Sequence, residues 1–127
     1  MEEQVTDDES ISLLVCVGED QTEPAGTIGL DQATPVDGST EISIVLAPEF
    51  WGEGYGTEAS RLLTTYAFEE RRIHRVEAVA VDENVDSCRI WEKLGYRQEG
   101  HLKEAAYHQG EYMDLRLYAV LEDEWDG

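Results

Sequence analysis

The spacing of the apolar residues changes near residue 56, and this change restricts the fold more than any other feature of the sequence. Before it, short runs rich in apolar and β-branched residues alternate with turn-forming residues, as is typical of strands joined by tight loops. Three such runs are present: Ile11–Val17, Ala25–Leu30 and Thr40–Ala47. They predict a three-stranded antiparallel meander at the start of the fold.

After the change, the apolar residues recur at intervals of three and four, as on one face of an amphipathic helix. The residues concerned are Ala59, Leu62, Leu63, Tyr66 and Ala67. The nearly continuous apolar run Arg75–Val81 predicts a strand covered on both faces, and Val85–Leu94, followed by Gly95, predicts a second helix. Residues 96–107 and 113–121 predict a closing hairpin. The order β-β-β-α-β-α-β-β indicates a single α+β (α/β) domain that includes all 127 residues and contains a mixed sheet.

Acidic residues outnumber basic residues along the whole chain. Its 29 Asp and Glu residues stand against 9 Lys and Arg residues, which gives a formal net charge of −20. Such a surface repels nucleic acid, so we expect no direct binding to nucleic acid. It suits a cytoplasm at molar salt, where the Debye length is about 3 Å and self-repulsion is screened. We therefore expect a halophilic source, with an ordinary acidic cytosolic protein as the alternative.

The sequence shows no signal for export or for membrane insertion. Its first ten residues, MEEQVTDDES, lack the basic region and the apolar core of a secretory signal. No apolar stretch approaches the roughly 18 residues that a membrane span requires. Cys16 and Cys88 are isolated and the three histidines are scattered, so their spacing predicts no metal site. We expect a cytoplasmic protein that binds neither a membrane nor a metal.

The segment Trp51–Ala59, WGEGYGTEA, places three glycines at alternate positions directly before the first predicted helix. A dinucleotide-binding loop would follow a parallel strand, and a Walker loop would contain Gly-Lys-Ser/Thr, so neither class fits. The free amides of Gly52 to Thr57, together with the positive end of the helix, can bind an anion without any lysine side chain. A tight strand-to-helix turn without a ligand is the alternative.

Four ordered motifs resemble the GNAT superfamily of acetyl-CoA-dependent N-acetyltransferases, and within it the RimJ/RimL-like branch of ribosomal-protein N-terminal acetyltransferases. They are Pro48, WGEGYGTEA from Trp51, NVDSCRIWEKLGYRQEGHLKE from Asn84, and GEYMDLRLYAVLEDEW from Gly110. The resemblance extends from about residue 10 to residue 125. It implies a mostly antiparallel sheet with helices on both faces, acetyl-CoA as co-substrate, and acetyl transfer to a primary amine such as the N-terminal α-amine of a ribosomal protein.

The resemblance also implies where acetyl-CoA binds. In the family, the glycine loop binds the pyrophosphate of CoA. The strand before the loop separates from its neighbour, and its backbone groups there bind the pantetheine arm and polarise the thioester carbonyl. Asn84 and Ser87 match positions that contact the pantetheine arm, and Trp91 stands where many members have a tyrosine that protonates the departing thiolate. The implied cofactor-binding residues are Val45, Leu46, Gly52, Glu53, Gly54, Tyr55, Gly56, Thr57, Asn84, Ser87 and Trp91.

Three residues are candidates for catalysis. An indole cannot supply a proton at neutral pH, so Ser87, one helical turn before Trp91, is the candidate donor to the thiolate sulfur. Its alternative role is to satisfy amides in the first turn of its own helix. The attacking amine must be neutral, and an α-amine with a pKa of about 8 needs little help from a base. Glu41 and Glu104 are the candidate bases, and each has the alternative role of a solvated surface acid.

The chain departs from the family at its start. Family members normally begin with a further strand and a helical segment, which form one wall of the acceptor groove. A partner subunit could cover that side, so a homodimer is one expectation. Two other functions stay open. One is a catalytically impaired module that binds acyl-CoA, favoured by Trp91 and the short start; the other is a non-enzymatic acidic interaction protein with no affinity for CoA.

Overall fold

The fold is a six-stranded sheet with two helices. The computed structural model describes residues 10–31 and 38–127, so the N-terminal residues used to exclude a secretory signal lie, apart from the tenth, outside the described part. The elements are β1 (Ile11–Val17), β2 (Glu23–Leu30), β3 (Ser39–Leu46), α1 (Tyr55–Glu69), β4 (Arg75–Val81), α2 (Val85–Lys93), β5 (Arg97–His108) and β6 (Glu111–Leu121). The strands are ordered β1-β2-β3-β4-β6-β5, and among them only β3 and β4 pair in parallel. The predicted order of elements and the mostly antiparallel mixed sheet are thus confirmed.

One face of the sheet forms the hydrophobic core. Side chains alternate between the two faces along each strand, and Ile42, Val76 and Tyr118, from three neighbouring strands, are at most 1% exposed. Leu63 of α1 and Trp91 of α2 belong to the same cluster, so both helices pack on this face. Among the described residues, the opposite face carries no helix. The expectation of helices on both faces is therefore met on one face only.

The opposite face of the sheet is polar. Glu41 of β3 lies in register with Glu77 of β4, and the guanidinium of Arg75 contacts Glu77 at 2.9 Å and Glu99 at 2.6 Å. Val45, at the end of β3, is 68% exposed on this face. The face is thus open to solvent or to a partner in the described part of the chain.

The strands β3 and β4 separate after four residue pairs. Pairing runs from Ser39 with Arg75 to Ile42 with Ala78, yet β3 continues to residue 46 and β4 to residue 81. The other side of β3 stays paired with β2 as far as Leu46, so the end of β3 is held in place. A gap therefore opens between the ends of two parallel strands, as the family resemblance implies.

Candidate active site

A cavity of about 450 Å³ lies beside this gap. Residues from three segments line it: 44–46 at the end of β3, 50–57 in the loop and the start of α1, and 84–93 in α2. Gly52, Gly54, Gly56 and Thr57 are among them, as the glycine-loop prediction requires. The three segments are brought together because α1 crosses from β3 to β4 and α2 follows β4.

Six consecutive amides of the glycine loop, from Gly52 to Thr57, have no acceptor within the described residues. The amides on either side are bonded: Trp51 donates to the Pro48 carbonyl oxygen at 3.1 Å, and Glu58 donates to that of Gly54 at 3.0 Å. Unpaired amides at the positive end of a helix fit a diphosphate such as that of CoA. A turn that satisfied its own amides would not leave this array free.

The three glycines of the loop serve two different purposes. Gly52 and Gly54 have φ angles of +79° and +85°, in the left-handed region that other residues seldom adopt. Gly56 is helical, and a Cβ there would lie 2.9 Å from Cδ1 of Ile90 and 3.3 Å from Cδ1 of Leu46. The first two glycines therefore shape the loop, and the third lets α1 approach α2 and β3.

Hydrogen bonds between β2 and β3 fix which main-chain groups face the gap. The Ala47 amide donates to the Ala25 carbonyl oxygen, and the Asp31 amide donates to that of Glu41, both at 2.9 Å. In an antiparallel pair the bonded residues alternate along the strand. The odd-numbered residues of β3 are thus bonded to β2, and the even-numbered residues direct their amides and carbonyls towards β4.

The main chain of Ile44 and Leu46 therefore faces the gap, whereas that of Val45 is directed towards β2. The sequence-based prediction named Val45 and Leu46. Both line the cavity, and the main-chain groups that face the gap are those of Ile44 and Leu46. The Leu46 carbonyl oxygen is already occupied, because it accepts the indole N–H of Trp51 at 2.9 Å. The amides of Ile44 and Leu46 and the carbonyl oxygen of Ile44 are the groups left for a thioester and its pantetheine arm.

Asn84 and Ser87 both line the cavity at the start of α2. Asn84 is the N-cap of this helix, and its Oδ1 accepts the Ser87 amide N–H at 3.1 Å. The capping role that was the alternative for Ser87 thus belongs to Asn84. The Ser87 hydroxyl has no hydrogen bond within the described residues, which leaves it available to a ligand.

Trp91 is not brought to the cavity. Its side chain is 1% exposed, packs against Tyr96 with ring centroids 5.1 Å apart, and belongs to the hydrophobic core. Its indole N–H has no partner in the described part of the chain. The side chain predicted to contact the cofactor instead fixes α2 against the sheet.

Glu41 lies in the paired part of β3, two residues before the gap. Its pKa is raised above the ordinary value, first because the carboxyl is partly buried and then because Asp31 and Glu77 repel a further negative charge. A carboxyl with a raised pKa is better matched to proton abstraction near neutral pH. Glu41 is therefore the candidate base whose strand leads into the gap, and it lines neither of the two cavities.

Glu104, the other candidate base, lies at a bulge of β5, the edge strand of the sheet. It has a φ of +49°, its side chain is exposed, and its amide donates to Oδ1 of Asp114 at 2.8 Å. Two strands separate β5 from the gap, counting β6 and β4. The structure does not bring Glu104 to the cavity.

Two cations on α2, Arg89 and Lys93, line the cavity and were missed by the sequence analysis. Their spacing of four residues was a readable signal, because residues i and i+4 share one face of a helix. Neither forms an ion pair within the described residues. They add positive charge to the wall of the cavity that α2 forms.

A second cavity, of about 260 Å³, lies against β1, β2 and β3. It shares Ile44 and Val45 with the first cavity, so the two meet at the end of β3. The side chains of Thr27, Asp31 and Ser43 are among its lining, and no lysine or arginine is. This cavity suits a polar or cationic group on the far side of the gap.

Within residues 10–31 and 38–127, no cluster of three or more His, Cys, Asp or Glu side chains is arranged to hold a metal ion. None of the helices in that part of the chain has the length and apolar character needed to cross a bilayer.

The splayed sheet and the cavity with free amides define an α+β domain that binds an extended anionic ligand beside a strand gap. Comparison with known proteins gives the family: residues 2–97 match the Acetyltransferase (GNAT) domain. The chain belongs to the GNAT acetyltransferase family, which is a family of acyltransferases.

Two proteins of Bacillus subtilis illustrate the relationship. The chain is 37% identical over 86 residues to the uncharacterized N-acetyltransferase YnaD, covering 68% of this chain and 51% of YnaD. It is 38% identical over 102 residues to the putative ribosomal N-acetyltransferase YdaF, covering 80% of this chain and 56% of YdaF. The chain thus spans about half the length of the curated relatives it matches. The GNAT resemblance is confirmed, and the RimJ/RimL-like branch stays a prediction.

Among solved structures, the spermidine N-acetyltransferase of Vibrio cholerae in complex with CoA and spermine matches with a TM-score of 0.83. The match covers 93% of this chain and 69% of that one at 24% identity. At this level of identity the match shows the fold, and it supports the GNAT-like topology described above.

Proposed function

We propose that this protein transfers an acetyl group from acetyl-CoA to a primary amine by direct attack within a ternary complex. The observation that carries the proposal is one continuous cavity that joins the free amides of Gly52 to Thr57 with the gap beside Ile44. The first feature suits the diphosphate of CoA, and the second suits its thioester. Membership of the GNAT family supports the same reaction.

Main-chain amides of β3 and the Ser87 hydroxyl supply the hydrogen bonds for acetyl transfer in the gap. The amine nitrogen attacks the thioester carbonyl carbon, and negative charge develops on the carbonyl oxygen. A main-chain donor from Ile44 or Leu46 stabilises that charge, and one such donor typically lowers a barrier by about 3 kcal/mol. The carbon–sulfur bond then breaks, and the Ser87 hydroxyl donates a hydrogen bond to the departing thiolate. The proton lost by the amine passes to Glu41, through water, and from there to solvent.

The acceptor is proposed to enter from the second cavity. Its lining includes the Asp31 carboxylate, and Glu41 and Glu77 lie on the same open face of the sheet, so this side favours a cationic amine. We propose the N-terminal α-amine of a protein, such as a ribosomal protein. This side attracts the amine as a cation, and an α-amine with a pKa of about 8 loses its proton before attack more readily than a lysine with a pKa of about 10.4. The similarity to YdaF, a putative ribosomal N-acetyltransferase, agrees with this choice.

Further features belong to the same proposal. The ordered motifs from Asn84 and from Gly110 support the RimJ/RimL-like branch, and the net charge of −20 supports a cytoplasm at high salt. A single hydrophobic cluster that includes both helices supports one domain. The open face of the sheet, with the 68% exposed side chain of Val45, supports a second subunit that covers it.

One observation favours a second function. In the described residues that line the cavity no tyrosine hydroxyl is present, and Trp91 is buried in the core. A protein without a strong proton donor near the sulfur would bind acyl-CoA and transfer nothing. This module would use the same amides and the same cavity.

The two functions are separated by measuring thiol release from acetyl-CoA at molar salt. The acceptors are a peptide with a free N-terminus, the same peptide with a blocked N-terminus, and spermidine. We expect release with the free peptide and none with the blocked one. Release with spermidine alone would move the acceptor to polyamines, and CoA binding without release on any amine would support the binding module. Absence of CoA binding would contradict both functions.

A further inference from the structure

Arg89 and Lys93 are one helical turn apart on α2, and both line the cavity. Both are exposed, and neither forms an ion pair within the described residues. Four other basic residues do form an ion pair with a carboxylate, and they are Arg61, Arg75, Arg97 and Arg116. The α2 wall of the cavity therefore carries two uncompensated positive charges.

The acidic residues of α2 do not cancel this charge. Glu92 lies between the two cations in sequence, yet its carboxylate accepts a hydrogen bond from the Tyr118 hydroxyl at 2.9 Å and does not line the cavity. Asp86 is the one carboxylate among the lining residues, and it lies in the first turn of α2, where the positive end of the helix compensates it. Two cations against one anion give the lining a net positive charge in a chain whose net charge is −20.

CoA carries two kinds of phosphate, and they need different partners. The diphosphate is a linear chain of oxygens that an array of main-chain amides can follow, and the Gly52–Thr57 amides provide such an array. The 3′-phosphate on the ribose is a monoester that approaches two negative charges near pH 7. A dianion at a solvent-exposed rim is best held by guanidinium and ammonium groups.

We propose that Arg89 and Lys93 bind the 3′-phosphate of CoA, and that they make this protein selective for CoA over dephospho-CoA. The inference rests on the proposed function, because it takes CoA as the ligand of the cavity. It goes further because it assigns the adenosine end of the ligand to the α2 wall and the diphosphate to the loop. The selectivity then comes from side chains, and the anchoring comes from the main chain.

The test is calorimetric titration of the full chain with CoA and with dephospho-CoA at the same salt concentration. We expect the wild type to bind CoA at least about tenfold more tightly, since a charge-assisted contact to phosphate contributes on this scale. Arg89→Gln and Lys93→Gln should each reduce that ratio, and the double variant should bring it close to one. Binding of dephospho-CoA should stay unchanged in all three. Lys93→Arg should retain most of the preference.

Lys103→Gln is the matched control, because it removes the same charge from an exposed position on β5 outside the cavity lining. It should leave the CoA to dephospho-CoA ratio unchanged. If Arg89→Gln and Lys93→Gln weakened the binding of CoA and of dephospho-CoA equally, the cations would belong to the diphosphate, and the inference would be overturned. A wild-type ratio near one would overturn it as well, while thiol release from acetyl-CoA would still stand. Failure of the wild type to bind either ligand would remove the proposed function and this inference together.

Discussion

The indole N–H of Trp51 donates a hydrogen bond to the carbonyl oxygen of Leu46 at 2.9 Å. This bond joins the start of the glycine loop to the last residue of β3. Because Leu46 borders the gap and Trp51 precedes the free amides, the bond holds the two parts of the proposed acetyl-CoA site at a fixed distance from each other. The relative position of diphosphate and thioester would depend on it.

Trp51→Phe removes this donor and keeps an aromatic ring. We expect CoA affinity to fall roughly fivefold, since one net hydrogen bond contributes about 1 kcal/mol. Trp125→Phe is the control, because its indole N–H also makes one bond, to Oγ1 of Thr65 at 3.0 Å, away from the residues that line the cavity. That variant should lower the melting temperature and leave affinity alone. Titration with CoA and thermal unfolding measure affinity and stability for both variants. Equal losses of CoA affinity in the two variants would contradict the proposal that the Trp51–Leu46 bond positions the two parts of the site.

Recognition of the diphosphate by main-chain groups predicts that glycine replacements are costly and that a loop carboxylate is dispensable. Gly54→Val forces a β-branched residue into a left-handed conformation, at a cost of about 1–2 kcal/mol. Gly56→Val places a side chain where Cδ1 of Ile90 lies 2.9 Å from an added Cβ. Both should weaken CoA binding more than about tenfold, while Glu53→Gln should change it less than about twofold. Calorimetric titration checks this, and a dominant effect of Glu53→Gln would refute recognition by the main chain.

The element order and the anion site could be predicted because both depend on local sequence. Runs such as Ile11–Val17 and Arg75–Val81 have the apolar patterns of strands, and the structure gives them the same bounds. The glycine loop could be located because φ angles above zero at Gly52 and Gly54 require the residue type itself. Features of this kind are encoded within a few neighbouring residues.

The details that local sequence could not predict depend on pairing and packing between distant elements. Whether Val45 or Ile44 faces the gap depends on the register of β3 with β2, which local sequence does not specify. The position of Trp91 could have been inferred, because it and Cys88 form an i, i+3 apolar pair on α2, and both are buried. Trp91 was instead predicted to contact the cofactor because it matches the position of the catalytic tyrosine in the family. Arg89 and Lys93 were missed because net charge describes the whole chain and does not show where single cations are placed together.

The different bonding of Ser87 and Asn84 predicts different effects of removing them. Ser87→Ala removes a hydroxyl with no partner among the described residues, so we expect stability to change by less than about 0.5 kcal/mol and kcat to fall at least about tenfold. Asn84→Ala removes the N-cap of α2 and should lower stability by about 1 kcal/mol. Asn84→Asp keeps a capping oxygen and should be as stable as the wild type. Urea unfolding and thiol release measure the two effects, and a stability loss in Ser87→Ala would return the capping role to Ser87.

The raised pKa of Glu41 predicts a pH-dependent penalty on stability. Burial, and then repulsion by Asp31 and Glu77, makes the folded state hold the Glu41 proton more tightly than the unfolded state does. Stability is therefore lost as pH rises from the ordinary value of 4.5 through the raised pKa, and it is recovered below 4.5. Glu41→Gln carries no such charge, so at pH 7 it should be more stable than the wild type, with the difference vanishing near pH 4.

Urea unfolding at the two pH values checks this expectation. Glu23→Gln, at the exposed start of β2, is the control and should show no such difference. If Glu41 is also the base, the more stable Glu41→Gln variant should have a lower kcat for acetyl transfer. If Glu41→Gln were less stable than the wild type at pH 7, the ionised Glu41 carboxylate would stabilise the fold, and this prediction would be wrong.

The net charge of −20 predicts that monovalent salt stabilises the fold. Salt weakens both the repulsion among unpaired carboxylates and the attraction within ion pairs such as Arg75 with Glu99. With 29 acidic and 9 basic residues, repulsive pairs of charges are far more numerous than attractive ones, so repulsion outweighs attraction. Raising KCl from 0.1 M to 1 M shortens the Debye length from about 10 Å to about 3 Å, so we expect the melting temperature to rise by roughly 5 °C or more.

An uncharged osmolyte at matched osmolality is the control, and it should give a smaller rise. A melting temperature that is flat or falling over this range would show that repulsion does not limit stability, and it would remove the support for adaptation to high salt.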